Sequence, residues 1–184
     1  MAKVPVEEEQ LDISALVDRP EHLEAIGLLT VEITHMERAV SELFASIMGI
    51  HFFLAEAIYF TVNSGIARMD IVRNAAHIVL SALPQDLKRT LKFLDRAKTA
   101  MGKRHAIIHS FWMLNPDNND IRREKLGEFR NKRVAVVTLT ELRQQIRDVQ
   151  KITNETYNYC YEFQAAHPGK VGALRDYWAP KERS

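Results

Sequence analysis

The sequence predicts a mainly α protein, a bundle of about five helices with long first and fourth helices, a closing helix and one short β-hairpin insertion. Apolar residues recur every three or four positions through most of the chain, prolines and glycines fall mainly between these stretches, and one run has the composition of a strand. With 184 residues, 46% of them hydrophobic, the chain can bury a proper core but is short for two, so we expect one domain over residues 1–184.

The first helix is predicted from Pro20 to about Met48. Proline favours the first helical turn, and the acidic Glu21 and Glu24 suit the positive end of the helix dipole. Its apolar stripe, at steps of three and four, consists of Ile26, Leu29, Ile33, Met36, Val40, Leu43 and Ile47. Gly49 then provides the break. The preceding residues 1–18 are acidic and weakly patterned, so we expect a loosely ordered lead-in.

The second helix is predicted over residues 50–62 and the third over residues 66–82. The turn cluster at residues 63–65 separates them. Although the second helix is the most apolar stretch, it is shorter than the roughly 20 residues that cross a bilayer, so we expect a buried or interface helix and no membrane partner. Pro84 follows the third helix and opens the fourth.

The fourth helix is predicted to be about 30 residues long and to end in the loop at residues 115–120. Its stripe consists of Leu87, Leu91, Leu94, Met101, His105, Ile108 and Trp112. Gly102 lies inside it at a helix-propensity cost of about 1 kcal/mol relative to alanine, which predicts close packing or a slight kink.

The run at residues 133–139 is the one convincing strand, and we expect it to pair with a segment before Arg130. Thr140 is the predicted cap of the closing helix, which runs to about Ala166. Its stripe consists of Leu142, Ile146, Val149, Thr153, Thr156, Cys160 and Phe163. Pro168 ends the helix, and residues 168–184 are polar and expected to be loosely held.

Charge is distributed unevenly behind a formal net charge of +1. Residues 1–56 carry three basic against eleven acidic side chains, a balance of −8, whereas residues 84–133 carry thirteen against six, a balance of +7. The basic half can guide a polyanion to the chain; alternatively, the two halves attract each other or a second copy.

Cys160 is the one cysteine, which excludes an internal disulfide and a cysteine-based zinc site, and we expect a reducing cytoplasm.

Arg104, His105 and His109 concentrate polar chemistry near the end of the predicted fourth helix. Arginine offers a planar fork of donors and imidazole titrates near neutral pH, a combination suited to binding or cleaving a phosphodiester. His105 shares the apolar stripe, so we expect it beneath the surface, with Arg104 and His109 flanking it around one phosphate. The alternative is a core His105 and a His109 that interacts with the helix end.

The pattern Arg104-His105-x-x-x-His109, followed by Ser110 and Trp112 late in a long bundle helix, resembles the R-x4-6-H signature of the HEPN superfamily. The order of elements over about residues 20–166, including the mid-helix Glu37, is also similar. The resemblance implies a homodimer whose motifs face each other across a basic cleft, and in the ribonuclease members cleavage of RNA without metal.

Carried over by position, the resemblance makes His109 the general acid or base and gives Arg104 the phosphate, while His105 orients or stacks. Arg96, Lys103 and Trp112 are the predicted binding residues, because single-stranded nucleic acid is often held by charge and aromatic stacking. The implied function is RNA or nucleotide binding, with metal-independent endoribonuclease activity. The alternative is a non-catalytic dimeric adaptor or an antitoxin-like module of a toxin–antitoxin pair that binds a protein partner.

Metal sites are weakly indicated, and we predict neither a metal nor a cofactor. The Glu32-x-x-His35 spacing occurs in paired-metal bundles, but no second copy exists on another helix. His105 and His109 lie four residues apart as zinc ligands can, yet no third ligand is evident.

On the third helix, we expect Asp70 to pair with Arg73, and Arg68 to meet a carboxylate of the first helix.

Overall fold

The computed structural model describes Leu16 and residues 19–114, 121–125 and 134–168, and within them it confirms the predicted helical bundle with a small β insertion. In chain order the elements are α1 (Pro20–Met48), α2 (Phe52–Phe60), α3 (Gly65–Val79), α4 (Pro84–Ile108), β1 (Ser110–Leu114), β2 (Ile121–Lys125), β3 (Val134–Val136) and α5 (Leu139–Ala166). The two segments predicted to be loosely ordered are residues 1–18 and 168–184. Except for Leu16 and Pro168, they lie outside the described residues.

Helices α1 and α5 run parallel along the centre of the bundle. The Gln150 side chain donates a hydrogen bond to Glu32 at 2.8 Å, and Gln164 donates to Ser46 at 3.0 Å, so the same sequence offset joins both ends. Helix α1 ends where predicted, at Gly49, whose φ of 64° is in the left-handed region that glycine adopts without a Cβ penalty.

Helix α4 runs antiparallel to both α3 and α5. Two ion pairs spaced seven residues apart join it to α5, Arg89 to Glu162 at 2.5 Å and Arg96 to Glu155. A further two join it to α3, which are Arg73 to Asp95 and Lys98 to Asp70. The predicted Asp70–Arg73 pair is therefore wrong, because both side chains find an opposite charge on the neighbouring helix.

The core lies between α1, α3, α4 and α5, with one face of α2 added. Its largest fully buried side chains are Tyr59, Tyr159, Phe163, Leu29, Met36, Leu43, Ile47, Met69, Leu80, Leu94, Ile107 and Leu142. The Tyr159 hydroxyl donates to the Asp86 carboxylate at 3.0 Å, which satisfies the polar end of a buried ring. These buried side chains hold α4 against α5.

The end of α4 differs from the prediction. The helix spans 25 residues and stops at Ile108, and residues 110–114, predicted as its last turn, form β1. β1 pairs with β2, which also pairs with β3, both antiparallel, in a three-stranded sheet. Large and aromatic side chains at residues 111–113 favour strand over helix when a partner strand lies alongside. The predicted partner of the β3 segment is confirmed as β2.

Two local predictions are also corrected. Thr138, not Thr140, caps α5: its hydroxyl accepts the Glu141 N–H at 3.1 Å, and the Glu141 carboxylate accepts the Thr138 N–H at 2.9 Å. Gly102 is exposed, and an added Cβ would meet no atom within 4 Å, so close packing does not explain this glycine.

Candidate functional site at the end of helix α4

The Arg-His segment occupies the last turn of α4 and the residue that follows it. Arg104 and His105 are helical, and His109 is the C-terminal capping residue, whose N–H donates to the His105 carbonyl at 3.0 Å. Ser110 then starts β1, and its hydroxyl donates to the Ala106 carbonyl. The helix end and the sheet thus fix the backbone on both sides of the motif.

His105 and His109 lie side by side on the surface. Both are exposed, and their ring centroids are 4.4 Å apart with the planes tilted by 45°. The expectation that His105 packs beneath the surface is wrong. The buried stripe of α4 turns around the helix, from Thr90 and Leu94 to Ile107, so it has moved away from His105 by the last turn.

Arg104 lies on the edge of that buried stripe and is half-buried. Its Nε is enclosed and has no hydrogen-bond partner, and no ion pair joins its guanidinium to any described residue. An enclosed guanidinium N–H without an acceptor is costly, and a bound anion would remove that cost. Arg104 is therefore available to an anion.

Arg123 of β2 is a feature of this region that the sequence analysis missed. Its Nη1 donates to the Ala106 carbonyl at 3.0 Å, whereas its Nε is enclosed and has no partner. Hydrogen bonds from Thr138 lower the pKa of Glu141, and the charge of Arg123 adds to this shift. No sequence signal distinguishes Arg123 from the other cations of residues 121–133; only the sheet brings it to the end of α4.

The three predicted binding residues divide between two environments. Trp112 is half-buried against the core, and its Nε1 donates to the Ile107 carbonyl at 3.2 Å, so its ring edge is already engaged. Arg96 and Lys103 instead line a groove of about 400 Å³ between α1, α4 and α5. None of Arg104, His105 and His109 is among the residues that line this groove.

The other polar clusters have structural partners. Arg68 meets Glu37 of α1 at 2.7 Å, as predicted, donates to the Val62 carbonyl at 2.6 Å, and lies over the Tyr59 and Phe60 rings. Both members of the ion pair are largely buried, so this pair holds α3 against α1.

The alternative metal readings gain no support from the packing. Glu32 lies 3.8 Å from His35 and accepts a hydrogen bond from Gln150, while α5 contributes no carboxylate to this pair. Within the described ranges, no group of three or more histidine, cysteine or acidic side chains is close enough to hold a metal ion. Nor does any described helix combine the length and apolar character needed to cross a membrane.

No protein-family model, no curated protein and no solved structure matches this chain.

Proposed function

We propose that this protein is a HEPN-like cytoplasmic homodimer that binds RNA or a nucleotide at the end of α4 and cleaves RNA without a metal ion. The observation that carries the proposal is the half-buried guanidinium of Arg104, unpaired among the described residues, at the same end of α4 as two adjacent, exposed imidazoles. One group binds an anion and two can exchange protons, which are the parts that phosphodiester transfer needs.

In the proposed reaction, the 2′-oxygen of the RNA attacks the adjacent phosphorus and the bond to the 5′-oxygen breaks. His109 takes the 2′-hydroxyl proton or gives one to the leaving 5′-oxygen, and the neighbouring His105 orients His109 or supplies the second proton transfer. Arg104 holds the phosphate and stabilises its developing charge. The products are a 2′,3′-cyclic phosphate and a free 5′-hydroxyl, so atoms and protons balance.

Incubation of the purified protein with single-stranded RNA in excess chelator tests this proposal. We expect cleavage by the wild type, and a loss of at least roughly 100-fold in Arg104→Ala and His109→Ala, because each removes a general acid–base or charge-stabilising group. His77→Ala is the matched control, since His77 is exposed in the last turn of α3 and lies outside the motif. Equal rates in all four proteins, or no cleavage by any, would remove the nuclease claim.

A non-catalytic adaptor or antitoxin-like module is the second candidate, and the outer face of α2 favours it. Phe53, Leu54 and Ile58 are 40–54% exposed, and Glu56 is the one charged residue of α2. Large exposed apolar side chains on one helix are typical of an interaction surface. This candidate predicts that His109→Ala leaves RNA affinity unchanged, and that Ile58→Asp disrupts self-association or partner binding in sedimentation measurements.

A further inference from the structure

The groove between α1, α4 and α5 lies where a ladder of ion pairs is interrupted. Arg89–Glu162 and Arg96–Glu155 join α4 to α5 at seven-residue steps, and the next step brings Lys103 level with Asp148. These two residues line the groove but form no ion pair with each other, and Asp148 instead accepts a hydrogen bond from Gln144 at 2.9 Å. The helices are therefore bridged at one end of the groove and open at the other.

The floor of this groove is apolar. Leu29, Val149 and Ile152 are each at most 5% exposed and form it together with Ala100. A volume of about 400 Å³ lies within the range of small-molecule sites. A flat, largely apolar ring system can cover this floor and gain from leaving water.

Gln145 adds a polar requirement to the apolar floor. It lines the groove, and its side-chain oxygen is enclosed without a hydrogen-bond partner. Whichever way the amide is turned, it presents one acceptor beside one donor. A ligand edge with a donor next to an acceptor satisfies both, and adenine carries such a pair on each of its two hydrogen-bonding edges.

Lys103 is the cation of the groove lining that forms no ion pair with a described residue. Its side chain is exposed, whereas Lys151 is only 3.9 Å from Glu155. Asp95, an acid of the lining, is already neutralised by Arg73.

Asp148 lines the groove at the level of Lys103, and its carboxylate accepts a hydrogen bond from Gln144 but has no cation partner among the described residues. The open end therefore holds one free cation and one free carboxylate, and Lys103 is the group that can meet a phosphate.

From the apolar floor, the unpartnered amide and the free lysine, we infer that this groove binds an adenine nucleotide unit, either free AMP or an adenosine of RNA. The ring lies on Val149 and Ile152, its amino edge pairs with Gln145, and its phosphate meets Lys103. The inference rests on the proposed function and deepens it, because Lys103 directly precedes Arg104 and the groove would select the base beside the cleaved phosphate.

Isothermal titration of the full-length protein with AMP, GMP, UMP and inorganic phosphate tests the groove. We expect AMP to bind most tightly, and Gln145→Leu to weaken AMP binding about tenfold, because the hydrogen bonds to the amide are lost. The melting temperature of Gln145→Leu should hold or rise, since the variant removes an enclosed, unsatisfied oxygen. Gln85→Leu is the matched control, because Gln85 is exposed in the first turn of α4 and does not line the groove.

Lys103→Ala and Ala100→Leu keep the test decisive if Gln145→Leu does not fold. The first should weaken AMP but not adenosine, and the second should weaken both by filling the floor. AMP binding no tighter than that of phosphate, or unchanged in the variants, overturns the inference.

Binding measurements with oligonucleotides distinguish free AMP from an adenosine of RNA as the ligand. They also distinguish the groove proposal from the nuclease proposal. Tighter binding of oligo(A) than oligo(U), lost in Gln145→Leu, identifies RNA; binding of AMP without this preference identifies the free nucleotide. RNA cleavage with no AMP binding would contradict the groove proposal alone, whereas AMP binding by a wild-type protein that cleaves no RNA would contradict only the nuclease proposal.

Discussion

Individual charged residues in this bundle fall into those with partners and those without. Glu37 and Arg68 satisfy each other in a largely buried pair, and Arg89, Arg96 and Lys98 each meet a carboxylate on a neighbouring helix. Arg104 has no such partner among the described residues, although it is half-buried. Arg104 therefore differs from Arg89, Arg96 and Lys98 of the same helix, and a bound anion would supply the partner that it lacks.

Glu42 of α1 is an acid whose surroundings oppose its charge. Burial raises the pKa of this carboxyl above its ordinary value, and Arg38 only partly offsets that effect. On α5, burial raises the pKa of Tyr157 and of Cys160, and the charge of Glu42 adds to both shifts. Folding therefore favours the protonated form of Glu42.

The pH dependence of stability should reflect this residue. Because the folded state holds the Glu42 proton to higher pH than the unfolded chain does, its contribution is complete at low pH and is lost as pH rises through the folded pKa. Glu42→Gln should raise the free energy of unfolding at pH 7 and flatten its decline between weakly acidic and neutral pH. Urea denaturation at a series of pH values measures both, and a lower stability of Glu42→Gln at pH 7 would contradict the assignment.

At the scale of elements, most of α4 is held by ion pairs to neighbouring helices, whereas its last turns have a low helix propensity. Four ion pairs hold its first two-thirds to α3 and α5, whereas Gly102 lies exposed just before the motif. A glycine inside a helix increases the conformational entropy of the unfolded chain without adding packing. The end of α4 is thus less stable than its middle by local propensity.

Gly102→Ala tests whether this glycine has only that local effect. Since an added Cβ meets nothing within 4 Å, we expect the free energy of unfolding to rise by about 0.5–1 kcal/mol. Gly27→Ala in α1, where space is equally open, should give a similar gain far from the motif. A stability gain in both, with RNA cleavage reduced only in Gly102→Ala, would show that the end of α4 needs flexibility; destabilisation by Gly102→Ala would refute the propensity argument.

At the scale of the whole molecule, the uneven charge places the candidate site in the basic half of the chain. Residues 84–133, with their balance of +7, include all of α4, β1 and β2. Arg89, Arg96 and Lys98 form ion pairs with α3 and α5, whereas Lys103 and Arg104 form none with any described residue. A polyanion should therefore bind with a marked dependence on salt.

Salt titration of RNA affinity measures that dependence. For a single strand, each phosphate contact contributes about −0.7 to the slope of log K against log salt concentration, so Lys103→Ala should reduce the slope by about that amount. Lys88→Ala, in an exposed position near the other end of α4, should leave the slope nearly unchanged. Equal changes in both variants would mean that the +7 charge acts diffusely rather than at the groove.

Much of the fold could be predicted because helix period and helix-ending residues are local signals. Pro20 and Gly49 bound α1 as expected, and Pro84 opens α4. The strand β1 was missed because residues 110–114 can continue a helix by pattern alone, and only pairing with β2 decides otherwise. Among the site residues, the clustering of Arg104, His105 and His109 was visible, but the exposure of His105 was not.

The sequence by itself determined the number and spacing of the helices, the break at Gly49 and the concentration of one arginine and two histidines near the end of α4, because each depends on residues within a few turns of one another. The tertiary structure alone decided which of those side chains meet solvent, that Arg123 joins them, and that Gln145 and Lys103 share a groove. Those outcomes depend on how helices rotate and pack against each other, which involves residues far apart in the chain.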